Sequence, residues 1–415
     1  MSTSPRPPIP GLAPGAVPID NPRFHTEPAA LYRELRQRHG PVVPVALPGE
    51  IPAWLVIGYR ELHHIIGDAT FFPRDPALWN QWPRVPRDWP LMAMVNRRQP
   101  SIHYTTGAEH KRHVDMVVPA LEAEDTYQLR RHAETVADAL VDTFCGQGEA
   151  ELIDGYAKLL PIHVLGRALG VPDAECPPLA GALNALAAGG DDAVAGHQYL
   201  SSAMQRLVTA KRAMPGADVT SRMLTHPGGF TEEEYVLDLA AVLAAGHQPT
   251  ADWIGNTLAA VLTDDRFAAS LAGGRGSVGD AMNLVLWEDT PTQILAGRWA
   301  ARDTYLGGQR LLAGDMLLLG LQGAHGDPQV RYGGTPHSGG HKAHFSFSHG
   351  EFRCPFPAQE IAEIIARTGV EVLLDRLPDI DLAVPPAALV RRRSPFLRGL
   401  AALPVRFTPT TPLGP

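Results

Sequence analysis

Cys354 lies in the run Phe347-Ser348-His349-Gly350-Glu351-Phe352-Arg353-Cys354-Pro355, immediately before a segment of helical periodicity. A thiolate needs charge stabilisation, and the N–H groups of a tight turn entering a helix N-terminus supply it, so a metal-bound cysteine is the natural product of this placement. The other cysteines, Cys145 and Cys176, read as small buried hydrophobes. The wide spacing of the three fits neither a zinc pattern nor a disulfide framework. His247, His325, His341 and His344 do not form a ligand pair at helical spacing with a third ligand, and no Gly-x-Ser-x-Gly turn occurs, which counts against zinc and serine-hydrolase chemistry.

The second chemically distinctive run is Ala245-Gly246-His247-Gln248-Pro249-Thr250. It interrupts a stretch of helical apolar spacing from 231 to about 262, at whose start Thr231 and Glu234 have capping-box spacing. At 1.5 Å per residue such a helix reaches roughly 45 to 50 Å, the length of a central beam. Pro249 has no N–H for the carbonyl of Ala245 and clashes with it, which predicts a kink and a carbonyl free to bind water.

The elements that must position these runs are mostly helices. Residues 121–264 carry apolar residues at three and four, including the stripe Leu129, His132, Val136, Leu140 and Phe144, and are punctuated by Pro161, Pro172, Pro177 and Pro215. Helices are also expected over 280–288 and from about 358 to 374. Residues 303–321 carry strand and turn signals, 332–341 read as a loop, and 389–407 as a β pair turning at Gly399. There is no internal repeat and no clear linker.

The chain has 415 residues, a formal charge of −8, 45% hydrophobic and 19% charged residues. This excludes a disordered tail, a disulfide scaffold and a basic nucleic-acid-binding module. With 40 Gly and 39 Pro, many connections between short elements are expected. No apolar run of about 18 residues and no signal-peptide core occur, so the expectation is a soluble cytoplasmic protein with neither membrane nor nucleic acid as partner.

From about Asn21 to Phe407 the sequence resembles the cytochrome P450 family, because Phe347, Gly350 and Cys354 reproduce the spacing of that family's haem-binding loop. The order of parts agrees: His110-Lys111-Arg112, the long helix, Thr290 to Gln293, Arg298, small strands, Asp327-Pro328, then the cysteine loop. The resemblance implies a mainly α fold with a small β region and haem b between the long helix and the loop. It implies a flexible segment 1–20, a single domain 21–408 and a tail 409–415. Cys354 becomes the axial thiolate on iron, and His110 and Arg298 become propionate partners. Without the resemblance, the Glu-His-Lys-Arg-His run around His110 reads as solvated surface.

The departures carry their own expectations. Phe352 replaces the His or Arg that pairs a propionate, and Phe356 replaces a Gly; Arg353 is the nearest compensating charge. Leu284 and Trp287 stand where the family has a Glu-x-x-Arg pair, and residues 332–352 contain no Arg for the usual third partner. Losing one member of such a buried network costs roughly 3 to 5 kcal/mol, whereas replacing the members together by packed apolar groups can be neutral. The triad therefore reads as exchanged for packing, as in a divergent bacterial subset with Trp at the Arg position. In the oxygen groove Gln248 holds the acid position and Pro249 that of the first alcohol. Gln is no general acid at neutral pH, so Thr250, an ordered water or the substrate is left to deliver protons.

The group expected to act is thus Ala245, Gly246, Gln248, Pro249 and Thr250, opposite Phe347, Gly350, Arg353 and Cys354. Trp79, Trp82, Trp89 and Met92 stand equally as a substrate roof or as core. Arg391, Arg392 and Arg393 read as a solvated strand edge. The implied function is oxidation, in secondary metabolism, of a small hydrophobic molecule with O2 and electrons from a ferredoxin-type donor docking near Arg112 and Arg353. Two alternatives stay open: a P450 fold kept as a ligand or redox sensor or complex component, and a peroxide-driven oxidase.

Overall fold

The structure, a computed structural model, describes residues 15–95, 99–188, 192–264, 277–330 and 342–414. The expected loop 332–341, with His341, and most of the segment 1–20 lie outside these residues.

The principal helices are α1 (Pro28–His39), α2 (Tyr59–Gly67), α3 (Gly107–Glu122), α4 (Thr126–Asp142), α5 (Leu159–Leu169), α6 (Cys176–Ala188), α7 (Asp192–Ala213), α8 (Val219–Leu224), α9 (Glu232–Thr263), α10 (Val278–Glu288), α11 (Leu321–His325) and α12 (Phe356–Arg376). The strands are β1 (Val17–Pro18), β2 (Val42–Leu47), β3 (Ile51–Val56), β4 (Glu149–Glu151), β5 (Leu295–Trp299), β6 (Thr304–Leu306), β7 (Gln309–Leu311), β8 (Met316–Leu319), β9 (Asp381–Leu382) and β10 (Pro404–Arg406). No helix among the described residues is long and apolar enough to cross a membrane. The mainly α expectation with a small β region holds.

The beam α9 starts as its sequence demands. Thr231 Oγ1 accepts the Glu234 N–H at 3.3 Å and Glu234 Oε2 accepts the Thr231 N–H at 2.7 Å, while Glu232, Glu233 and Glu234 face the positive end of the helix. Pro249 lies inside its 32 residues. Helices α5, α7, α10 and α12 pack around it, and a single helical core joins them, with Leu160, Leu243, Ile254, Leu258 and Ile365 all fully buried. Cys145 and Cys176 are buried in that core, as expected of structural thiols. In α4 the buried seam is Leu129, Ala133, Ala137 and Val141; His132, Val136 and Leu140 are only partly covered. The sequence stripe followed the bulkier residues, whereas close helix contact selects the alanines.

A five-stranded sheet, ordered β1-β2-β3-β8-β5, carries two further clusters. Strand β5 runs antiparallel to β8 with Arg298 opposite Leu317 and Trp299 opposite Met316. The expected C-terminal pair is different: β10 pairs with β4 and β9, and residues 389–400 contribute only the bridges Arg391 to Leu400 and Thr292 to Leu397. The expected solvated edge is also corrected. Arg391 donates to Asn256 Oδ1 and pairs with Asp289, and Arg392 Nη2 lies 2.7 Å from Asp252 Oδ2, so two of the three arginines are spent neutralising groups on and beside α9. Arg393 alone is exposed.

Candidate functional site

Phe345 to Pro355 fold as a turn that backbone bonds hold in place: the Ser348 N–H donates to Phe345 O at 2.7 Å and the Cys354 N–H to Phe347 O at 2.9 Å. Gly350 has φ +71°, and a Cβ there would meet Ile66 O at 2.7 Å, so this glycine is required both by its backbone conformation and by the close approach of α2. Pro355 caps α12, whose first residue is Phe356. Gln359 Nε2 donates to Cys354 O at 2.6 Å. Burial pushes the Cys354 thiol up to about 12. The unliganded sulfur therefore carries a proton, and a nearby cation such as a metal ion is what would favour the thiolate.

Cys354 lines a cavity together with Phe347 and Ala358, and Ala245, Gly246, Pro249 and Thr250 of α9 line the same cavity. Four of the five α9 residues expected to act are thus placed opposite the cysteine loop. A Cβ on Gly246 would meet Leu165 Cδ1 at 3.0 Å, so the glycine also lets α5 close on the beam. Gln248 points elsewhere: its Nε2 donates to Asp252 Oδ1 at 3.0 Å, and its Oε1 finds no partner among the described residues. Asp252 was not anticipated. It is 4% exposed, accepts from both Gln248 and Arg392, and burial pushes its carboxyl up against the opposing pull of Arg392. His247 is fully buried, its Nε2 lying 2.9 Å from Lys158 O, and burial lowers it to about 4.

The charged side of the cavity departs from the surface reading of His110, which is 5% exposed and lines the cavity with an Nδ1 that meets no hydrogen-bond partner among the described residues; burial holds its pKa below the usual imidazole range. Arg298 is 2% exposed, donates from Nη1 to Phe72 O at 3.4 Å, and is brought down to about 9, by burial first and then by Arg74. Among the described residues it has no carboxylate at ion-pair distance. Phe352, also a cavity residue, packs against the His110 ring at a tilt, the centroids 4.8 Å apart. Arg353 lines the cavity at its rim. It is exposed, with Cζ 4.4 Å from the Phe356 ring. Sequence reasoning missed Arg74 and His103, which line the cavity; burial lowers both, His103 to about 3. Only the pairing of residues 71–73 with the end of β5 marks Arg74, and that is a tertiary signal.

The Glu-x-x-Arg positions are filled by packing. Trp287 is 1% exposed, its ring 5.2 Å from His325 and 6.0 Å from His344, and His325 Nε2 accepts the Phe345 N–H at 2.8 Å. Trp253 of α9 donates to Met282 O at 3.0 Å and lies edge-on to Phe347 at 5.9 Å. The tryptophans weighed as a substrate roof are core instead. Trp79 and Trp89 are each 3% exposed, with ring centroids 5.5 Å apart, and belong to the sheet cluster. Ile102, Val114, Val117, Leu165 and Val242 supply the apolar lining of the cavity. Arg112, expected on the donor surface, pairs with Glu234 and lies over the Phe230 ring at 4.2 Å.

The residues present fit a haem. A thiol faces a helix across an apolar cavity, and the basic groups Arg74 and Arg298 have no carboxylate at ion-pair distance among the described residues, which two propionates would supply.

No protein-family profile matches the chain. It is 28% identical to the cytochrome P450 monooxygenase PikC of Streptomyces venezuelae, over 98% of this chain and 96% of that protein. It is 27% identical to the mycinamicin IV hydroxylase/epoxidase of Micromonospora griseorubida, over 91% and 95%. Among solved structures, CYP154C4 from Streptomyces sp. W2061 superposes with a TM-score of 0.84 at 25% identity, covering 96% of this chain and 99% of that one. CYP154A1 from Streptomyces coelicolor A3(2) gives the same score and identity over 94% and 100%.

Proposed function

This chain belongs to the cytochrome P450 family, and on that premise we propose that it is a monooxygenase holding haem b through Cys354. It would oxidise a small hydrophobic organic molecule in secondary metabolism, with electrons from a ferredoxin-type donor in the cytoplasm. The observation that carries the reading is one cavity lined by Cys354 on one side and by Ala245, Gly246, Pro249 and Thr250 on the other.

Bound haem supplies the redox and O2 chemistry. The chain's own residues supply orientation, water exclusion and protons. Ile102, Val114, Val117 and Val242 give the substrate an apolar environment. The Ala245 carbonyl, denied its helical partner by Pro249, is an acceptor for an ordered water beside the Thr250 hydroxyl. Asp252 lies one turn beyond the position that Gln248 vacates as an acid and is joined to it through Oδ1, which accepts from Gln248 Nε2; burial favours its protonated form and Arg392 its ionised form, so it is the carboxylate we assign to the proton supply.

The test is the absorbance spectrum of the dithionite-reduced, CO-saturated protein. The red-shifted band of thiolate-ligated haem is expected, together with its loss in Cys354→Ala. Substrate oxidation driven by NAD(P)H through ferredoxin, set against peroxide alone, separates the oxygenase from the peroxide-driven reading. Ligand-induced spectral shifts without product would mark a sensor.

A further inference from the structure

Two guanidinium groups are drawn into one region of the molecule with no carboxylate at ion-pair distance among the described residues. Arg74 lines the cavity and Arg298 is 2% exposed. Neither forms an ion pair among the described residues, and the charge on Arg74 lowers both Arg298 and His103. The backbone forces the proximity. Trp299 donates its N–H to Pro73 O at 3.1 Å and Arg298 Nη1 reaches Phe72 O, so residues 72–74 run beside the end of β5.

The nearby acids are committed elsewhere. Asp75, adjacent in sequence, accepts the Ala77 N–H at 2.9 Å as the cap of a short 3-10 turn. Glu351, which acts electrostatically on His110 and Arg298, is exposed and accepts the Gly107 N–H at 3.2 Å. Phe352 offers one ring face, which Arg298 takes. An aromatic face satisfies part of a cation's need but carries no net charge, and it leaves Arg74 with none. A desolvated guanidinium without a counter-ion is costly, and its planar fork matches a carboxylate.

We propose that Arg74 is a carboxylate anchor of the cavity, binding one propionate of the porphyrin and so replacing the cationic or imidazole partner that Phe352 does not provide. The inference rests on the haem reading above. It assigns two permanent cations, Arg74 and Arg298, to two propionates, with His103 and His110 as neutral imidazole partners. A substrate carboxylate would present the same chemistry, and the test separates the two sources.

The experiment follows haem transfer from the holoprotein to excess apomyoglobin. Arg74→Leu is expected to lose haem roughly ten- to a hundred-fold faster than wild type, the range for one charge-assisted hydrogen bond, with Arg74→Lys between them. After reconstitution with iron protoporphyrin dimethyl ester, which has no propionate charge, Arg74→Leu and wild type are expected to lose the porphyrin at the same rate. An unchanged rate with native haem overturns the assignment. So does an acceleration that persists undiminished with the diester, because the residue would then act through the fold. Unchanged haem loss combined with loss of the spectral shift induced by myristate would give Arg74 to the substrate instead, and also overturns it. Should Arg74→Leu fail to fold, Arg74→Lys measured with both porphyrins decides by the same criteria. A wild-type protein that binds no haem defeats the haem reading itself, a result distinct from haem bound normally but indifferent to Arg74.

Discussion

The guanidinium of Arg298 lies over the face of the Phe352 ring, its Cζ 4.3 Å from the centroid. The loop thus presents a π surface to a buried cation where an imidazole or a second guanidinium would oppose it. Phe352→Leu keeps most of the volume and removes the face, and is expected to destabilise the protein by about 1 to 2 kcal/mol, the value of a desolvated cation–π contact. Urea unfolding of the two proteins at equal haem content measures this; identical midpoints would show that the stacking contributes nothing.

Trp287 substitutes for a charge by filling space, so restoring the charge alone is expected to harm. Trp287→Arg places a cation where Leu284 offers no carboxylate, at a cost of about 3 to 5 kcal/mol. Adding Leu284→Glu is expected to recover part of that loss, since a residue three positions earlier shares the helical face. Thermal unfolding of the single and double variants checks the order, and a double variant less stable than the single would count against it.

Asp252→Asn removes the titratable proton while keeping the shape and the Gln248 contact. About tenfold slower O2-dependent turnover is expected, at the low end of what a positioned acid contributes, with a larger fraction of electrons lost to peroxide. Oxidation driven by added peroxide should be unchanged. An equal fall in both activities would reduce Asp252 to an ion-pair partner of Arg392.

Acid and alkali should each weaken the fold through identifiable groups. His247 and His103 are lowered to about 4 and about 3, so the unfolded chain takes up their protons first; stability present above about pH 6.5 is lost as pH falls toward those values. Cys354 and Cys176 are raised, to about 12 and about 11, so the unfolded chain releases their protons first, and stability of the haem-free protein is lost as pH rises above about 8.5. Urea midpoints from pH 4 to 10 test both limbs. His247→Gln, which can still donate to Lys158 O, should flatten the acid limb, and an unaltered slope would remove His247 from the account.

The beam, its cap and the cysteine loop were legible in the sequence because their determinants are local. A threonine and a glutamate three apart announce α9, and the fixed spacing of Phe347, Gly350 and Cys354 announces the turn. The placement of Arg391 and Arg392 was not legible, because their partners Asp289, Asn256 and Asp252 stand more than a hundred positions away. A run of three arginines gives no local sign that two of them are counter-ions. The same holds for Arg74, whose role depends on which strand end its backbone meets, and for the tryptophans 79 and 89, whose apolar character suits a roof and a core equally until the sheet beneath them is known.

Arg392 leaves the ribosome 140 residues after the Asp252 that it neutralises. Until then the longest helix carries an acid whose principal counter-ion is still unmade. Synthesis order thereby places completion of this ion pair late in assembly, and a ribosome stalled short of this arginine should hold a molecule whose outer helices are formed but whose centre is still open to water.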